Sequence, residues 1–582
     1  MKKIRKEVSL GYTHVRLNRD IRAKLTRPDI REIFSKVRDM GLFIASDEYV
    51  PSVDVLLNKH GIRTIPNARP MGWGIKIEVT NSFPMIMSDR ETSIVADINM
   101  VLNKIFGANI MVDKSLDSYS IHNSDATIVM EDVTMTRIRG VYHSPKYNCM
   151  RPVIRSTCPP VRMYTARESI LAIAKRNKNV PELATLNDPI RTGKCLLNSF
   201  VVTYMKNFKN YPLIRVDYDG IVEWLMTQNT DVAEKIIPKF DLHRSDLTEF
   251  SLSIKRKPKP ALNADTCLAY TALQTICFSE KFVNAIYCVI FREIRDRVLD
   301  GLKSKFKIFT NKSPHEFSGD ITRVLDVSDI EKDNVNVLEL DISKYDKSQN
   351  QVTLEYECEL MRYFGVPEEF VQLWFNMHFR TRLVDRANGV STRVAYQRKS
   401  GDASTFIGNT LFLMAVVARE LDHFPIKVGL FAGDDSLIVL KTSKAFRMDT
   451  ESFSMKYNLE VKQLVFKRSL YFCSKFLVHD GHRWVLVPDP VKIFVKLGRT
   501  DLRNADHVEE FRRSVADLVY PYISFAVCDK VASALCDRYD LDCNIAHLLH
   551  SFCGFCESAG FNKLFYSLPG DVLLTEKTFY KE

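Results

Sequence analysis

The stretch Phe431-Ala432-Gly433-Asp434-Asp435-Ser436-Leu437-Ile438 sets a glycine and two adjacent acids between apolar runs. Val428 and Leu430 lead in; Leu437, Ile438 and Val439 lead out. The pattern predicts a tight β-hairpin with carboxylates at its turn. Two acids held at a strand end can grip a divalent cation, which prefers hard oxygen ligands.

Upstream of this hairpin, Val335, Val337, Leu338 and Leu340 predict a short strand ending at Asp341, with Asp346 five residues further on. Two helices follow, over about 349–364 and from Pro367 to about 379, the second with proline in its first turn. Ser400-Gly401-Asp402 reads as a turn into a long apolar helix from Thr405 to Leu421, with Asn409 one helical turn after Thr405. Downstream, Ala445–Tyr457 reads as a helix capped by Asn458, and Leu459–Phe466 as a strand carrying Lys462. Tyr471–Val478 and Trp484–Val487 flank Asp480-Gly481, a hairpin signal. From Val495 the chain reads as helical to its end, with Tyr522, Ile523, Phe525 and Leu535 expected to be buried. Strands and helices mixed in this order give an α+β fold.

In the first half, Ser88-Asp89-Arg90-Glu91 is a capping box opening a helix through Ile94, Val95, Ile98, Val101, Leu102 and Ile105, stopped by Gly107. Residues 143–165, rich in proline and arginine, read as an extended connector, and Thr165-Ala166-Arg167-Glu168 opens a helix to Lys175-Arg176-Asn177. Ser251–Ile254 alternates like a strand and runs into Lys255-Arg256-Lys257-Pro258-Lys259-Pro260. The prolines hold this basic run extended and block a helix. Residues 271–299 read as one long amphipathic helix.

Size and charge narrow the classes. With 582 residues, 46% apolar and 26% charged, the chain can build several subdomains around sizeable cores. Leu411–Ala418, among its longest apolar runs, is far too short to span a bilayer, and Met-Lys-Lys-Ile-Arg-Lys is followed by no signal-type apolar region. A formal net charge of +11 suits a polyanionic partner. Basic residues gather at Lys2–Arg38, read as a solvated surface or an RNA arm, and at Lys255–Lys259. The 13 scattered cysteines, an odd number, fit free thiols in a reducing cytosol. His547, His550, Cys553 and Cys556 are zinc-type ligands, but their spacing of three along one helix opposes tetrahedral convergence, so a buried helical stripe is the expectation.

The spacing of the acids suits nucleotidyl transfer. That chemistry uses two Mg²⁺ ions, one activating the attacking 3′-oxygen and one steadying the triphosphate. If the strand of Asp341 neighbours the Asp434 hairpin, their carboxylates bridge both ions, with Asp435 assisting. Asp346 and Asn409 are placed to test for a ribose 2′-hydroxyl. Lys255, Arg256 and Lys259 supply the counter-charge for the triphosphate, and Lys462 a proton for the leaving pyrophosphate. Each piece alone is commonplace; the ordered set is the signal.

The set resembles the RNA-dependent RNA polymerases of positive-strand RNA viruses, of the alphavirus-like group. Asp341-Ile342-Ser343-Lys344-Tyr345-Asp346-Lys347-Ser348-Gln349 resembles their first palm motif. Ser400-Gly401-Asp402-Ala403-Ser404-Thr405, continuing to Gly408-Asn409-Thr410, resembles the second, and Gly433-Asp434-Asp435 the third. Ile254–Lys259 with Gln274-Thr275-Ile276 resembles the fingertip motif, and Phe472-Cys473-Ser474-Lys475-Phe476-Leu477 the hairpin that grips the primer. Thr165–Leu183 is also similar to that group, and among its members closterovirus-type polymerases of plants are the nearest resemblance.

The resemblance implies a right hand: 1–150 a fingers or linker extension, 151–330 fingers, 331–475 palm with a fingers insertion at about 350–398, and 476–582 a helical thumb. It implies nucleoside triphosphates held by Lys255, Arg256, Lys259, Asp346, Ser400, Gly401, Asp402, Thr405 and Asn409, and RNA gripped by Cys473, Ser474 and Lys475. It also implies two Mg²⁺ ions, with Mn²⁺ as a substitute, at Asp341, Asp434 and Asp435. Expected partners are template and nascent RNA and other viral replication proteins, helicase and methyltransferase in a larger polyprotein. The expected location is the host cytoplasm, at membrane-associated replication complexes reached through those partners. The competing readings are a reverse transcriptase, which Asp346 and Asn409 oppose, and a catalytically silent RNA-binding subunit, which the intact acids oppose.

Overall fold

The computed structural model describes residues 87–107, 133–136, 150–162, 164–178, 180, 188–207, 209–227, 246–260, 262, 271–331, 335–421, 426–441, 449–466 and 469–567, with strand segments at 14–17, 43–46, 65–66, 73–79 and 572–581. The basic stretch Lys2–Arg38, residues 143–149 and 163 of the 143–165 connector and the start of the 445–457 helix lie outside these residues, apart from the strand at 14–17.

Two five-stranded sheets organise the chain. The palm sheet has the order β10-β5-β9-β8-β4, from β4 (Phe306–Ile308), β5 (Asn336–Ile342), β8 (Ile426–Ala432), β9 (Asp435–Leu440) and β10 (Val461–Phe466). All its pairings are antiparallel except β8 with β4. The second sheet has the order β1-β7-β6-β2-β3, from β1 (Val133–Met135), β2 (Glu249–Ile254), β3 (Thr275–Phe278), β6 (Arg380–Asp385) and β7 (Val390–Ala395).

Strand β3 corrects the helix expected over 271–299. The helix α4 begins only at Lys281 and runs to Gly301. Leu273, Thr275 and Cys277 are buried in alternation, as in a strand, and residues 275–278 pair antiparallel with Ser251–Ile254. The exposed ladder edge of β2 outcompetes the helical period.

The palm sheet is covered on one face by helices. These are α3 (Pro189–Tyr204), α6 (Gln351–Tyr363) and α8 (Thr405–Glu420), which share a core with Leu338, Leu340, Phe431 and Ile438. From Leu411 to Ala418 helix α8 is apolar all round, with Leu411–Val417 fully buried, as a segment enclosed on every side requires. Helix α7 (Glu368–Phe379), the one-turn α5 (Tyr345–Ser348) and α9 (Thr450–Tyr457) complete this region.

A three-stranded meander, β11 (Tyr471–Phe472), β12 (Lys475–His479) and β13 (Trp484–Pro488), packs under the palm sheet with Phe317, Val337, Leu430 and Leu437. The expected strand over 471–478 is thus two strands, because Cys473 and Ser474 both take positive φ (51° and 60°) in a two-residue turn. The boundary placed at 475/476 would cut this meander, and helical thumb structure begins at α10 (Pro490–Leu497). It continues through α11 (Ala505–Val519), α12 (Phe525–Tyr539) and α13 (Ala546–Glu557). Tyr522 and Leu535 are buried as expected, whereas Ile523 and Phe525 are exposed at the bend between α11 and α12.

The capped helix over Asp89–Phe106 (α1) forms with its full capping box. It docks on the thumb and not on the fingers: Ile94, Ile98, Val101, Leu102 and Phe106 share one core with Phe494, Leu549 and Phe552. Glu91 pairs with Lys563, and Lys104 with Asp542. Its apolar stripe is buried there. The helix capped by Thr165 runs Ala166–Ala172 (α2) and passes into a π-helix at Ile173–Lys178.

Candidate active site

The acidic turn is built as its residue types dictate. Ala432 pairs with Asp435, leaving Gly433 and Asp434 as a two-residue loop. Gly433 has φ +66°, the first-position geometry of a type II′ turn, which glycine adopts without strain. Its N–H donates to Thr410 Oγ1 at 2.8 Å, which ties the turn to α8. Glu339 on β5 faces Leu437 on β9, and this register brings Asp341 level with Asp435 on the adjacent strand. Lys462 lies opposite Asp341 on the other neighbour, β10, with its side chain exposed.

The carboxylates act on one another. Asp434 and Asp435 keep solvent contact, yet loss of water around them in the cleft is the largest cause raising both above the ordinary carboxylate value. Asp346 and Asp341 raise Asp434 further and Lys259 lowers it; Asp434 raises Asp435 and Lys492 lowers it. Among the described residues no three His, Cys, Asp or Glu side chains converge at coordination distance. The donor set nevertheless fits a divalent cation, since three hard-oxygen acids at adjoining strand ends carry unfavourable mutual repulsion that a cation relieves.

Next to the acids, Asn409 Nδ2 donates to Asp346 Oδ1 at 2.7 Å. Behind this pair lies a buried network that sequence reading missed. Asn409 Oδ1 accepts from Gln349 Nε2 (2.7 Å) and Arg398 Nε (3.2 Å). Arg398 also donates to Gln349 Oε1 (3.0 Å), to Glu357 Oε1 (2.7 Å) and to Ser404 Oγ. Trp374 Nε1 holds the other oxygen of Glu357 at 2.8 Å. The available signal was Glu357 itself, an acid in the buried stripe of α6 beside Leu354, Cys358 and Met361, where a charge requires a partner.

The Ser400–Gly401 turn is pinned against β3. Ser400 Oγ accepts from Cys277 N and donates to Thr275 O, both at 3.2 Å. A Cβ on Gly401 would meet Phe278 Cβ at 2.7 Å, so only glycine allows this approach. Asp402 and Thr405 have structural positions. Asp402 is buried against His378 Nε2 (3.0 Å) and accepts from Lys399 N (3.1 Å), so its carboxylate shapes the turn and is not offered to a triphosphate. Thr405 Oγ1 donates to Lys399 O (2.8 Å) and Asp402 O (2.9 Å). The Lys399 ammonium has no hydrogen-bond partner among the described residues, lies 5.2 Å from the Phe250 ring, and burial pulls its pKa down to about 8.

Of the basic run, Lys255 and Lys259 are exposed, and Lys259 reaches the electrostatic field of Asp434. Arg256 Nε donates to Arg162 O at 2.9 Å. Lys257, to which no role was given, pairs with Asp501 at 3.1 Å, and Arg499 holds the same acid at 2.7 Å. The fingertip therefore touches the thumb and closes the hand.

The grip hairpin also differs from expectation in detail. Cys473 interacts with Asp435, and burial pushes its thiol pKa up. Lys475 folds back onto Cys473 O (3.2 Å) near the Phe309 ring. Beside the hairpin, Arg538 of α12 holds Glu339 at 3.1–3.2 Å and stacks on Tyr471, 3.5 Å from the ring centroid. Tyr471 and Tyr539 both donate to Asp489 Oδ2, at 2.8 and 2.5 Å. The four zinc-type residues on α13 go separate ways. His547 stacks on Phe525, His550 Nδ1 faces Tyr522 O at 3.2 Å, and Cys553 and Cys556 are buried in the thumb core. Among the described residues no single helix is long and apolar enough to cross a membrane.

A palm sheet with paired acids, a hydrogen-bonded Asp346–Asn409 pair beside them, a fingertip cation run and a helical thumb define a right-hand nucleic-acid polymerase. A family model described as RNA dependent RNA polymerase matches residues 123–563, and the chain belongs to that family. It is 33% identical over 476 residues to the RNA replication protein of Citrus leprosis virus C, covering 81% of this chain and 19% of that protein. It is 31% identical over 438 residues to the replicase large subunit of Tobacco mosaic virus (strain OM), covering 74% and 26%. Against the replicase large subunit of Sunn-hemp mosaic virus it is 31% identical over 504 residues, covering 85% and 30%. These relatives are of the alphavirus-like positive-strand group; the narrower likeness to closterovirus-type polymerases is not carried by them. The chain thus spans between 19% and 30% of their lengths. In fold it is similar to the crystal structure of the RNA-dependent RNA polymerase of a human picobirnavirus, with a TM-score of 0.50 at 12% identity, covering 88% of this chain and 95% of that one. The family uses divalent metal ions.

Proposed function

We propose that this chain extends an RNA 3′-end on an RNA template, replicating and transcribing a positive-strand RNA genome. The observation that carries the reading is the strand register that brings Asp341 level with Asp435, beside the Asp346–Asn409 pair. Two Mg²⁺ ions held by Asp341, Asp434 and Asp435 would activate the 3′-oxygen and steady the departing pyrophosphate. In the reaction the 3′-hydroxyl gives up its proton to solvent, its oxygen bonds to the α-phosphorus, and the bond to the α–β bridging oxygen breaks to release pyrophosphate. Lys255 and Lys259 draw in the triphosphate, with Arg256 bracing the loop that carries them. Ser400 and Gly401 shape the turn beside it, with Asp402 and Thr405 holding that turn from behind. Asp346 and Asn409 offer an acceptor and a donor to the ribose 2′-hydroxyl. Lys462 Nζ gives a proton to the pyrophosphate.

Because the chain spans only part of its relatives, its natural setting is read as one section of a larger replication protein, working with helicase and methyltransferase functions. The location read for it is membrane-associated complexes in the host cytoplasm, reached through those partners. Fractionation of infected cells with antibody to this chain tests that location.

The activity test is Mg²⁺-dependent RNA synthesis on a defined template, run beside Asp434→Ala. Loss of synthesis with retained RNA binding and an unchanged melting curve supports the assignment. Continued synthesis by the variant would overturn the metal role of Asp434.

A further inference from the structure

Among the described residues, Lys475 of the grip hairpin, Arg538 of α12 and Lys492 of α10 lie around the acidic turn on the side away from the fingertip. The first two are engaged elsewhere, Lys475 on Cys473 O and Arg538 on Glu339 and Tyr471. Lys492, in the first turn of α10, differs. It is half-buried, lies 5.4 Å from the Tyr471 ring, and donates to Ser474 Oγ at 2.8 Å. It forms no ion pair among the described residues, although Asp435, Asp489 and Glu339 all lie within its field. Arg538 and Lys259 face it from the thumb and the fingertip, so it stands among like charges as well.

Its support is rigid. Ser474 is the second residue of a two-residue turn in which both residues are left-handed, and Asp489 N donates to Ser474 O at 3.1 Å. Cys473, the first residue of that turn, contacts Asp435. One turn therefore joins the ammonium to a metal-site carboxylate. A partly desolvated cation held by a hydroxyl beside a reaction centre is suited to an oxygen anion of modest charge, such as a phosphodiester.

We propose that Lys492 binds the backbone phosphate of the nascent strand next to its 3′-terminal nucleotide, oriented by Ser474, and so sets the 3′-hydroxyl over the palm acids. This rests on the polymerase reading above, and it moves the grip from Lys475 to Lys492. Lys492 is a positioning residue, so its loss acts first on how well the strand is held.

The test uses the full chain, a defined primer–template RNA and single-nucleotide extension. It compares wild type with Lys492→Gln, Lys492→Arg and Lys475→Gln, each also followed by thermal denaturation. Lys492→Gln is expected to raise the apparent KM for primer–template about tenfold with kcat within about twofold. It should also lower the slope of log binding constant against log salt by about one. Lys492→Arg should restore both values, and Lys475→Gln should change the slope little. Four results would overturn the proposal: an unchanged salt slope, a fall in kcat at constant KM, failure of the folded Arg variant to restore binding, or an effect confined to initiation with free nucleotide. If Lys492→Gln does not fold, the Arg variant decides alone: wild-type KM and slope support a charge role, and a raised KM at normal stability refutes it. Wild-type protein without Mg²⁺-dependent synthesis would instead defeat the polymerase reading.

Discussion

Asn409 Nδ2 donates to Asp346 Oδ1 across 2.7 Å, joining the long palm helix α8 to the short helix α5 that follows the first acidic strand. The bond fixes the Asp346 carboxylate and leaves it oxygen capacity for a sugar hydroxyl. A site built to hydrogen-bond a hydroxyl rejects a substrate that lacks it, because its own polar groups are then left unpaired. Asn409→Ala is therefore expected to lower the ratio of kcat/KM for ribo- over deoxyribonucleotides about tenfold, the scale of one such hydrogen bond. Incorporation of paired ribo- and deoxyribonucleotides on one template measures it. An unchanged ratio would remove this pair from sugar selection.

The second prediction concerns what stands behind that pair. Arg398 and Glu357 are both buried, and the pair is closed by Trp374, Gln349 and Ser404. Burial lowers the pKa of Arg398, but Glu357 and the nearby Asp402 and Asp346 more than offset it, so the guanidinium keeps its charge. Removing one partner leaves the other charge without compensation. Glu357→Gln is expected to cost about 3 kcal/mol or more of stability, read as a lower urea midpoint. Replacing both residues with apolar side chains should cost less than either single change. A single variant with the wild-type midpoint would contradict this.

The extent to which the sequence revealed these features follows from how far apart their partners lie. Asp341, Gly433, Asp434 and Asp435 sit at strand ends and a turn, and Asp346 on the one-turn helix just beyond, where residue type and local spacing declare the geometry. Glu357 and Arg398 are 41 residues apart, and Arg538 is 199 residues from Glu339, so only tertiary packing shows that each has a partner. The chain over 273–277 satisfies both helical and strand periods, and the free edge of β2 decided between them. Lys475 and Lys492 look alike in sequence. A left-handed turn at Cys473–Ser474 and the start of α10 at Pro490 separate one that folds back onto Cys473 O from one that reaches Ser474 Oγ.

The third prediction is a pH dependence at the palm–thumb contact. Burial is the largest cause pushing Glu339 up to about 7, and Arg538 pulls the other way without cancelling it. The folded-state value lies above the ordinary value of 4.5, so the folded chain holds more protons than the unfolded chain between the two. The stability this group contributes is full below about 4.5 and is lost as pH rises to about 7. In chelator, wild type should therefore gain stability relative to Glu339→Gln as pH falls across that window. Parallel stability curves for the two proteins would show that Glu339 does not titrate there.

The last prediction separates the two acids of the turn. Asp434 and Asp435 are both raised above the ordinary carboxylate range, chiefly by loss of surrounding water. Without metal, their contribution to stability is present at low pH and is lost as pH rises through the raised values. A bound cation favours the ionised forms, so a Mg²⁺ ion held there as proposed above would displace protons from a site that holds them unusually well. Mg²⁺ affinity should therefore weaken on acidification at a pH above the ordinary carboxylate range, with protons released on binding. Titration calorimetry in buffers of different ionisation enthalpy counts those protons. Asp434 lies within the fields of Asp346, Asp341 and Lys259, whereas Asp435 is also engaged by Cys473 and Lys492. Asp434→Asn is thus expected to abolish synthesis, and Asp435→Asn to reduce it by a smaller factor, about tenfold to a hundredfold, for loss of a supporting ligand. Equal loss in both variants, with equal loss of Mg²⁺-linked proton release, would place both acids in the same role.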